Sequence, residues 1–600
     1  MKRGRGPLIL FIIFILMAVM GVVIIFSIKA ALEDKPVVRS DSVLRLNLAG
    51  AVTEQFPRDA FSREFEGASL QMHDIREALK MAKADERIEG VYLRISTPGL
   101  GWAKAESIRR ALLNFKESGK FVTAFMSMPD ERAYYIALAA DEVYIQPHSF
   151  AALNGLAVQV PFLKRMFNKL GMRPQVDNIG KYKSAGDILK RESMSPAHRE
   201  ATEAVLNDVY ETFVQAVCET RELDRTTVEK ALDEGMYRAE QLLELGLVDD
   251  VKYETEIIDL LKEKVYGEAA AKDDDKKLHM VDTRRYAKIS PAEVGLGDGE
   301  KIALIYAIGT IMPGSSGHDP VNGRTLGSRS LNQMLRVAGE DDDIKAVVLR
   351  VDSPGGSGQA SDEMWAAIEK VREKKPVVIS MGDLAASGGY WIAMSCDAIV
   401  AEPLTLTGSI GVVSALFDLS GTYDKLGIDW GIVKTNPRAD MPTDKRRLTA
   451  DEWEEFKKLN RDFYQFFVQK VADGRDMSWN EVNEIAQGRV WTGRRAAEIG
   501  LVDSLGGLET ALAMAKAEAG LEQDVRTQWV VYPQPKGFLD SLFEKIGVRF
   551  ARHFAAADES WLLWQQLPRE TRALVRQLTF LSRVHYGEVL ALALFLPEIE

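Results

Sequence analysis

Cysteine is nearly absent: two occur in 600 residues, Cys218 and Cys396, both in apolar contexts. This excludes a disulfide-held scaffold and a cysteine metal cluster. The seven histidines are scattered without metal-ligand spacing, and none accompanies the serine motifs below. His73, His148 and His198 read as surface or packing residues. Basic charge is in short supply too. Lys and Arg number 76 against 88 Asp and Glu, a net charge of −12, so no nucleic-acid partner is expected. Charge of either sign is missing altogether from Pro7 to Ile28. Twenty-two helical residues would span about 33 Å, enough for a hydrocarbon core of about 30 Å. The run exceeds the h-region of a cleaved signal peptide (about 7–15 residues), and no small-x-small cleavage site follows in "FSIKAALEDK". An uncleaved anchor over 7–28 is expected. The basic segment 1–6, with Lys2, Arg3 and Arg5, stays in the cytoplasm and the bulk of the chain lies on the far side.

The remaining length is too great for one core. It divides by an internal repeat: "IEGVYLRISTPG" from Ile88 returns as "IKAVVLRVDSPG" from Ile344, a shift of 256. Tyr134 answers Tyr390 in the same register, Asp141 answers Asp397, Pro147 answers Pro403 and Gly171 answers Gly427. Near the ends "LELGLVDDV" matches "AEIGLVDSL" at a shift of 254. Two homologous domains are predicted, over 40–262 and 299–525, joined by a charged linker over 263–298. In each, β-branched runs such as "AVVLRV", "PVVISM" and "AIVAEP" alternate with helical stretches such as "SDEMWAAIEKVREK". This predicts an α/β fold of βαβ units on parallel strands, with its chemistry at strand-to-helix transitions.

Two such transitions are "SPGG" and "MGDLAASGGYWIAM". A serine on a tight turn opening a helix is either an N-cap or a nucleophile beside backbone N–H groups. The repeat register discriminates. Ser387 aligns with Glu131, Gly388 with Arg132, Gly356 with Leu100, and Ser409 of "TLTGSIGV" with Leu153. A capping role does not explain the joint loss of all four in the first repeat. Conversely, Lys183 of "IGKYKSAGD" aligns with Ala439. One half keeps a hydroxyl and a glycine turn; the other keeps a lysine. Serine needs a neighbouring base, and lysine serves when desolvation lowers its pKa from about 10.4 towards about 7–8. A Ser–Lys pair is a known variant of the serine–base arrangement and needs no histidine.

The motifs "RVDSPGGSGQASDE", "SMGDLAASGGYWIA", "PLTLTGSIGV" and "GKYKSAGD", in two tandem domains behind one anchor, resemble the SppA-type signal peptide peptidases of the long, two-repeat bacterial form. The resemblance runs from the anchor to about residue 525. It implies a fold of the ClpP/crotonase superfamily and a Ser–Lys protease working through an acyl-enzyme. Ser387 is then the nucleophile and Lys183, rather than Lys181, the general base. Ser409 orients that lysine, and N–H groups of Gly355, Gly356 and Gly388 form the oxyanion hole. No cofactor and no metal is implied. Also implied are signal peptides left in the membrane as substrates, a homotetramer, and a bacterial inner-membrane location with the catalytic domains on the periplasmic side. Two rival readings are a crotonase-type acyl-CoA enzyme and a membrane scaffold without catalysis.

Residues 526–600 fall outside the family pattern. Phe538, Leu542, Phe543 and Ile546 have the spacing of an amphipathic helix, and Val589–Leu596 is too short to cross a bilayer. A helical extension is expected there, packed on the protein, on a neighbouring protomer or at a membrane interface.

Overall fold

The computed structural model describes residue 21 and residues 37–55, 70–271, 273, 276–319, 323–533 and 590–592. The anchor over 7–28, Gly21 apart, and the amphipathic stretch 538–546 lie outside these residues. Among the described residues no helix is long and apolar enough to cross a membrane.

The first repeat contains β1 (Ser42–Thr53), α1 (Met72–Ala84), β2 (Ile88–Gly99), α2 (Trp102–Lys116), β3 (Phe121–Met126), α3 (Glu131–Ala137), β4 (Glu142–Ile145), α4 (Lys164–Leu170), β5 (Arg173–Ile179), α5 (Pro196–Arg221), β6 (Asp250–Val251) and β7 (His279–Asp282). Its sheet runs β7-β1-β2-β3-β4-β6, all parallel. Part of the segment read as linker is thus built into this sheet, because β7 lies along β1 from Ser42↔His279 to Arg45↔Asp282.

The second repeat contains β8 (Glu300–Ile308), β9 (Thr310–Met312), β10 (Ile344–Ser353), β11 (Gly355–Ser357), α6 (Gly358–Arg372), β12 (Val377–Ala386), α7 (Gly388–Trp391), β13 (Ala398–Ala401), β14 (Leu406–Gly408), β15 (Val412–Asp418), α8 (Ser420–Leu426), α9 (Ala450–Arg475), β16 (Val490–Thr492) and β17 (Ser504–Leu505). Two strands from the C-terminal region follow, β18 (Thr527–Tyr532) and β19 (Leu590–Leu592). The main sheet runs β16-β14-β12-β10-β8-β18, with β13 and β17 continuing from β12. β10 is buried along nearly its whole length, as a parallel strand covered on both faces must be. α9 buries the stripe Phe456, Asn460, Tyr464, Phe467 and Val471 and starts on a capping box, in which Thr449 and Glu452 satisfy each other's backbone N–H. The helical expectation for 526–600 fails in its described parts. "TQWVVY" is β-branched and aromatic, and it joins the open side of β8 in parallel register.

A further sheet binds the repeats together. β5 of the first lies antiparallel to β15 of the second over seven residue pairs, Arg173↔Asp418 to Ile179↔Val412. Buried ion pairs reinforce this junction. Glu54 of the first repeat sits between Arg350 of the second (2.8 Å) and its own Arg76 (3.2 Å). Burial opposes its charge, but the two guanidiniums hold its carboxyl well below the usual range. Lys104 reaches from α2 to Asp352 at 2.7 Å and Asp383 at 2.5 Å.

Candidate active site

β12 delivers Ser387 at its C-terminal end and α7 carries the chain away. Between them Ser387 takes φ 57° and ψ −115°, a region L-residues occupy only when the surroundings enforce it. Here its N–H donates to the Gly408 carbonyl at 2.8 Å, and its carbonyl accepts from Trp391 N at 2.9 Å. Trp391 is buried against Phe463 and Phe467 of α9, with ring centroids 5.0 and 4.3 Å away. The smallness of the glycine pair has a steric cause. A Cβ on Gly389 would stand 2.6 Å from the Ser353 carbonyl, so only glycine lets α7 start so close to the end of β10. The Ser387 side chain makes no cap bond to α7, which excludes the N-cap reading.

Lys183 arrives from the other repeat. The β5–β15 pairing ends at Ile179↔Val412, and the chain then turns against residues 487–488. Tyr182 N donates to the Gln487 carbonyl at 2.7 Å, and Asn178 Nδ2 to the Lys183 carbonyl at 3.0 Å. Gly488 must be glycine, since a Cβ there would meet that of Lys183 at 2.5 Å. The ammonium end reaches Ser387 Oγ at 2.8 Å, the Ser409 carbonyl at 2.9 Å and Ser409 Oγ at 3.0 Å. Lys183, Ser387 and Ser409 are all buried. Removal from water pushes the Lys183 pKa well below the usual lysine range. Lys181 points elsewhere: it is exposed and bonds Tyr182 Oη at 3.0 Å.

The predicted oxyanion donors separate. Gly388 is the first residue of α7, so its N–H has no partner within the helix. Gly356 lies in β11, alongside Ile311 of β9. The N–H of Gly355 already donates to Ser353 Oγ at 3.1 Å, which removes it from the predicted set. Between β11 and β15 runs a slot one strand wide. It is filled by β19, antiparallel to both, with Gly356 opposite Ala591 and both Ser357 and Val413 opposite Leu590. The arrangement offers a hydroxyl in contact with an amine whose pKa burial lowers, a nearby helix-start N–H, and an edge on which an extended chain lies.

Sequence reasoning missed Gln487, Gly488 and Asn178, which position Lys183, and Ser353. No spacing links residue 183 to a turn some 300 positions away, so only the assembled fold displays the contact. Among the described residues no cluster of His, Cys, Asp and Glu is arranged to hold a metal ion.

The sequence matches the family described as Peptidase family S49 over residues 114–266 and again over 369–522. A chloroplastic serine protease, SPPA, of Arabidopsis thaliana is 40% identical over 514 residues, 85% of this chain and 74% of that protein. Protease 4 of Salmonella typhi is 32% identical over 86% of this chain and 84% of its own length. Protease 4 of Haemophilus influenzae is 28% identical over 94% of this chain and 93% of its own. Among solved structures, a ClpP1 mutant from Listeria monocytogenes aligns with 35% of this chain and 94% of its own, at 14% identity and a TM-score of 0.23. Matched in both of its repeats, the chain belongs to peptidase family S49 and is a serine protease.

Proposed function

We propose that this chain is a membrane-anchored endopeptidase that degrades signal peptides left in the bilayer after their release from preproteins, with Ser387 as nucleophile and Lys183 as general base. One observation carries the reading: a buried lysine with no carboxylate against its amine among the described residues lies 2.8 Å from a serine hydroxyl held in a strained turn. Neutral Lys183 accepts the Ser387 proton as Oγ attacks the scissile carbonyl carbon. Gly356 and Gly388 N–H groups receive the oxyanion, and Ser409 holds the amine in line. Collapse breaks the C–N bond, and Lys183 passes the proton to the leaving amine. Water activated by the same lysine then cleaves the acyl ester. Substrate lies as an extended strand between β11 and β15, in the place taken by β19.

Domain 40–262 supplies the base and 299–525 the nucleophile, on a ClpP/crotonase-like scaffold behind the 7–28 anchor, facing the periplasm of a bacterial inner membrane. The copies assemble as a homotetramer. Family membership sets aside the acyl-CoA alternative. The test is labelling of the full chain by a fluorophosphonate probe, with mass-spectrometric mapping of the cuts it makes in apolar signal-peptide sequences. Labelling that survives Ser387→Ala, or cuts confined to polar peptides, refutes it.

A further inference from the structure

α2 and α6 are the same helix in the two repeats, each of 15 residues, and they begin differently. α6 is capped from within its own repeat, where Ser357 Oγ accepts from Ala360 N at 3.3 Å. At the shift of 256 the residue before α2 is Gly101, which has no side chain to offer, and Lys104 stands where α6 has Ala360. The other repeat supplies the missing cap. Asp383 accepts from Lys104 N at 2.9 Å through one oxygen and from Gly101 N at 3.3 Å through the other. A carboxylate also suits the partial positive charge of a helix start. Gly101 leaves room for it, since a Cβ there would stand 2.4 Å from the Asp383 carboxyl carbon.

Asp383 sits at a break in the pairing of its own strand. Val351 of β10 pairs with Met381 of β12, and Ser353 pairs with Ala385, so Asp352 alone faces Gly382, Asp383 and Leu384. Such a bulge bends its strand and re-aims the residues that follow. On β12 these lead to Ser387, and on β10 the "SPGG" turn begins at the next residue, Ser353. Two contacts close the bulge. Leu384 N donates to Asp352 at 3.1 Å, and the Lys104 ammonium bridges Asp352 at 2.7 Å and Asp383 at 2.5 Å. Without the start of α2, two like charges would face each other with their shared cation gone, and the bend would open.

We infer that Asp383 is a positioning residue of the protease: by capping α2 across the repeat boundary it fixes the bend of β12, and with it the placement of Ser387 relative to the N–H groups of Gly356 and Gly388. The inference rests on Ser387 being the nucleophile, as proposed above. The first repeat then serves the second twice. Lys183 brings the base, and the start of α2 sets the strand that carries the hydroxyl. Capping alone does not account for the contact, because Ser357 shows that a local hydroxyl caps this helix. What a local hydroxyl does not provide is a tie between α2 and the bulge.

The test uses the full chain in detergent and follows peptide hydrolysis, fluorophosphonate labelling and thermal unfolding. Asp383→Ala should lower the unfolding temperature, and should lower kcat and the labelling rate by at least about tenfold with KM changed less than about twofold. The midpoint of the acid limb should stay in place, because Lys183 is untouched. Asp383→Ala/Gly101→Ser separates the two roles. The atoms nearest a Cβ at Gly101 all belong to the Asp383 side chain, so the truncation makes room for a hydroxyl that caps α2 as Ser357 caps α6. The unfolding temperature should recover while kcat stays low. Where Asp383→Ala alone does not fold, the double variant carries the same comparison with the wild type. A kcat that returns with the cap, a wild-type kcat in Asp383→Ala or a shifted midpoint overturns the inference and leaves the Ser387–Lys183 reading standing. Labelling that survives Ser387→Ala overturns both.

Discussion

Lys183 and Lys104 are both lysines of the first repeat, both buried, and both reach into the second repeat at its catalytic motifs. Their chemistry is opposite. Lys104 meets two carboxylates, and although burial alone would lower its pKa, Asp352, Asp383 and Glu54 raise it, so it stays charged. Those aspartates stand just before the "SPGG" turn and the Ser387 turn, and Leu384 N also donates to Asp352 at 3.1 Å. Lys104 therefore fastens together the two strand ends that carry the site. Lys183 meets a hydroxyl pair and a carbonyl, and removal from water lowers its pKa. A carboxylate beside a buried lysine keeps it charged, as at Lys104; without one, burial lowers its pKa, as the base proposed at Lys183 requires.

The sharpest way to break that contrast is to replace each lysine by methionine. Lys183→Met should lower kcat/KM by at least about 10³-fold, like Ser387→Ala, yet raise stability at neutral pH. The sign follows from linkage. Burial makes Lys183 hold its proton less tightly in the folded chain than in the unfolded one, so between its folded and unfolded pKa values stability is lost as pH falls. Lys104→Met should instead destabilise by about 3–5 kcal/mol, because it strands two carboxylates. Denaturant unfolding beside peptide hydrolysis distinguishes them; equal stability changes would erase the distinction. In the wild type, kcat/KM should climb with pH along an acid limb whose midpoint lies below the ordinary lysine value, and Lys104→Arg should leave that midpoint in place.

A second contrast lies at the equivalent turns. Where the second repeat has uncapped, strained Ser387, the first has Asp130, which caps α3 by accepting from Ala133 N at 2.8 Å. Ser387→Gly should thus be more stable than Ser387→Ala by about 1–3 kcal/mol, both being inactive, since only glycine relieves the positive φ. Calorimetry showing no difference would mean the turn carries no strain. Glu131, the aligned residue, accepts from Asn154 N at 2.7 Å, and burial pushes its pKa up to about 7. Glu131→Gln should stabilise by up to about 3 kcal/mol at pH 8 and by almost nothing at pH 3, below both the folded and the unfolded pKa, where the acid is protonated in either state. The smallest effect concerns the slot between β11 and β15. Deleting residues 589–600 should lower KM a few-fold with kcat unchanged if, as proposed, substrate lies in the place β19 takes between β11 and β15.

The order of strands and helices was legible because it rests on short-range pattern. "AVVLRV", "PVVISM" and "AIVAEP" fall in β10, β12 and β13, and "SDEMWAAIEKVREK" falls largely in α6. Ser387 and Lys183 stood out because the repeat exposes what one half lost. The rivet at Lys104 did not, since a lysine aligned with Ala360 looks like any surface helix position until Asp352 and Asp383 are folded beside it. Nor did β19. Eight apolar residues after a weakly patterned stretch carry no sign of which edge they will meet.

The clasp of Gln487 and Gly488 over the Lys183 turn also bears on time. Chains are made from the N-terminus, and domains fold largely in that order. While the first repeat emerges, Lys183 has neither its serine nor the turn that buries it, and it titrates as an ordinary lysine in water. Even with Ser387 and Ser409 made, Lys183 is not seated until residue 488 has left the ribosome. Under the mechanism proposed above, a chain ended before residue 488 thus has no cutting power, and the protease comes into being only once both halves are complete.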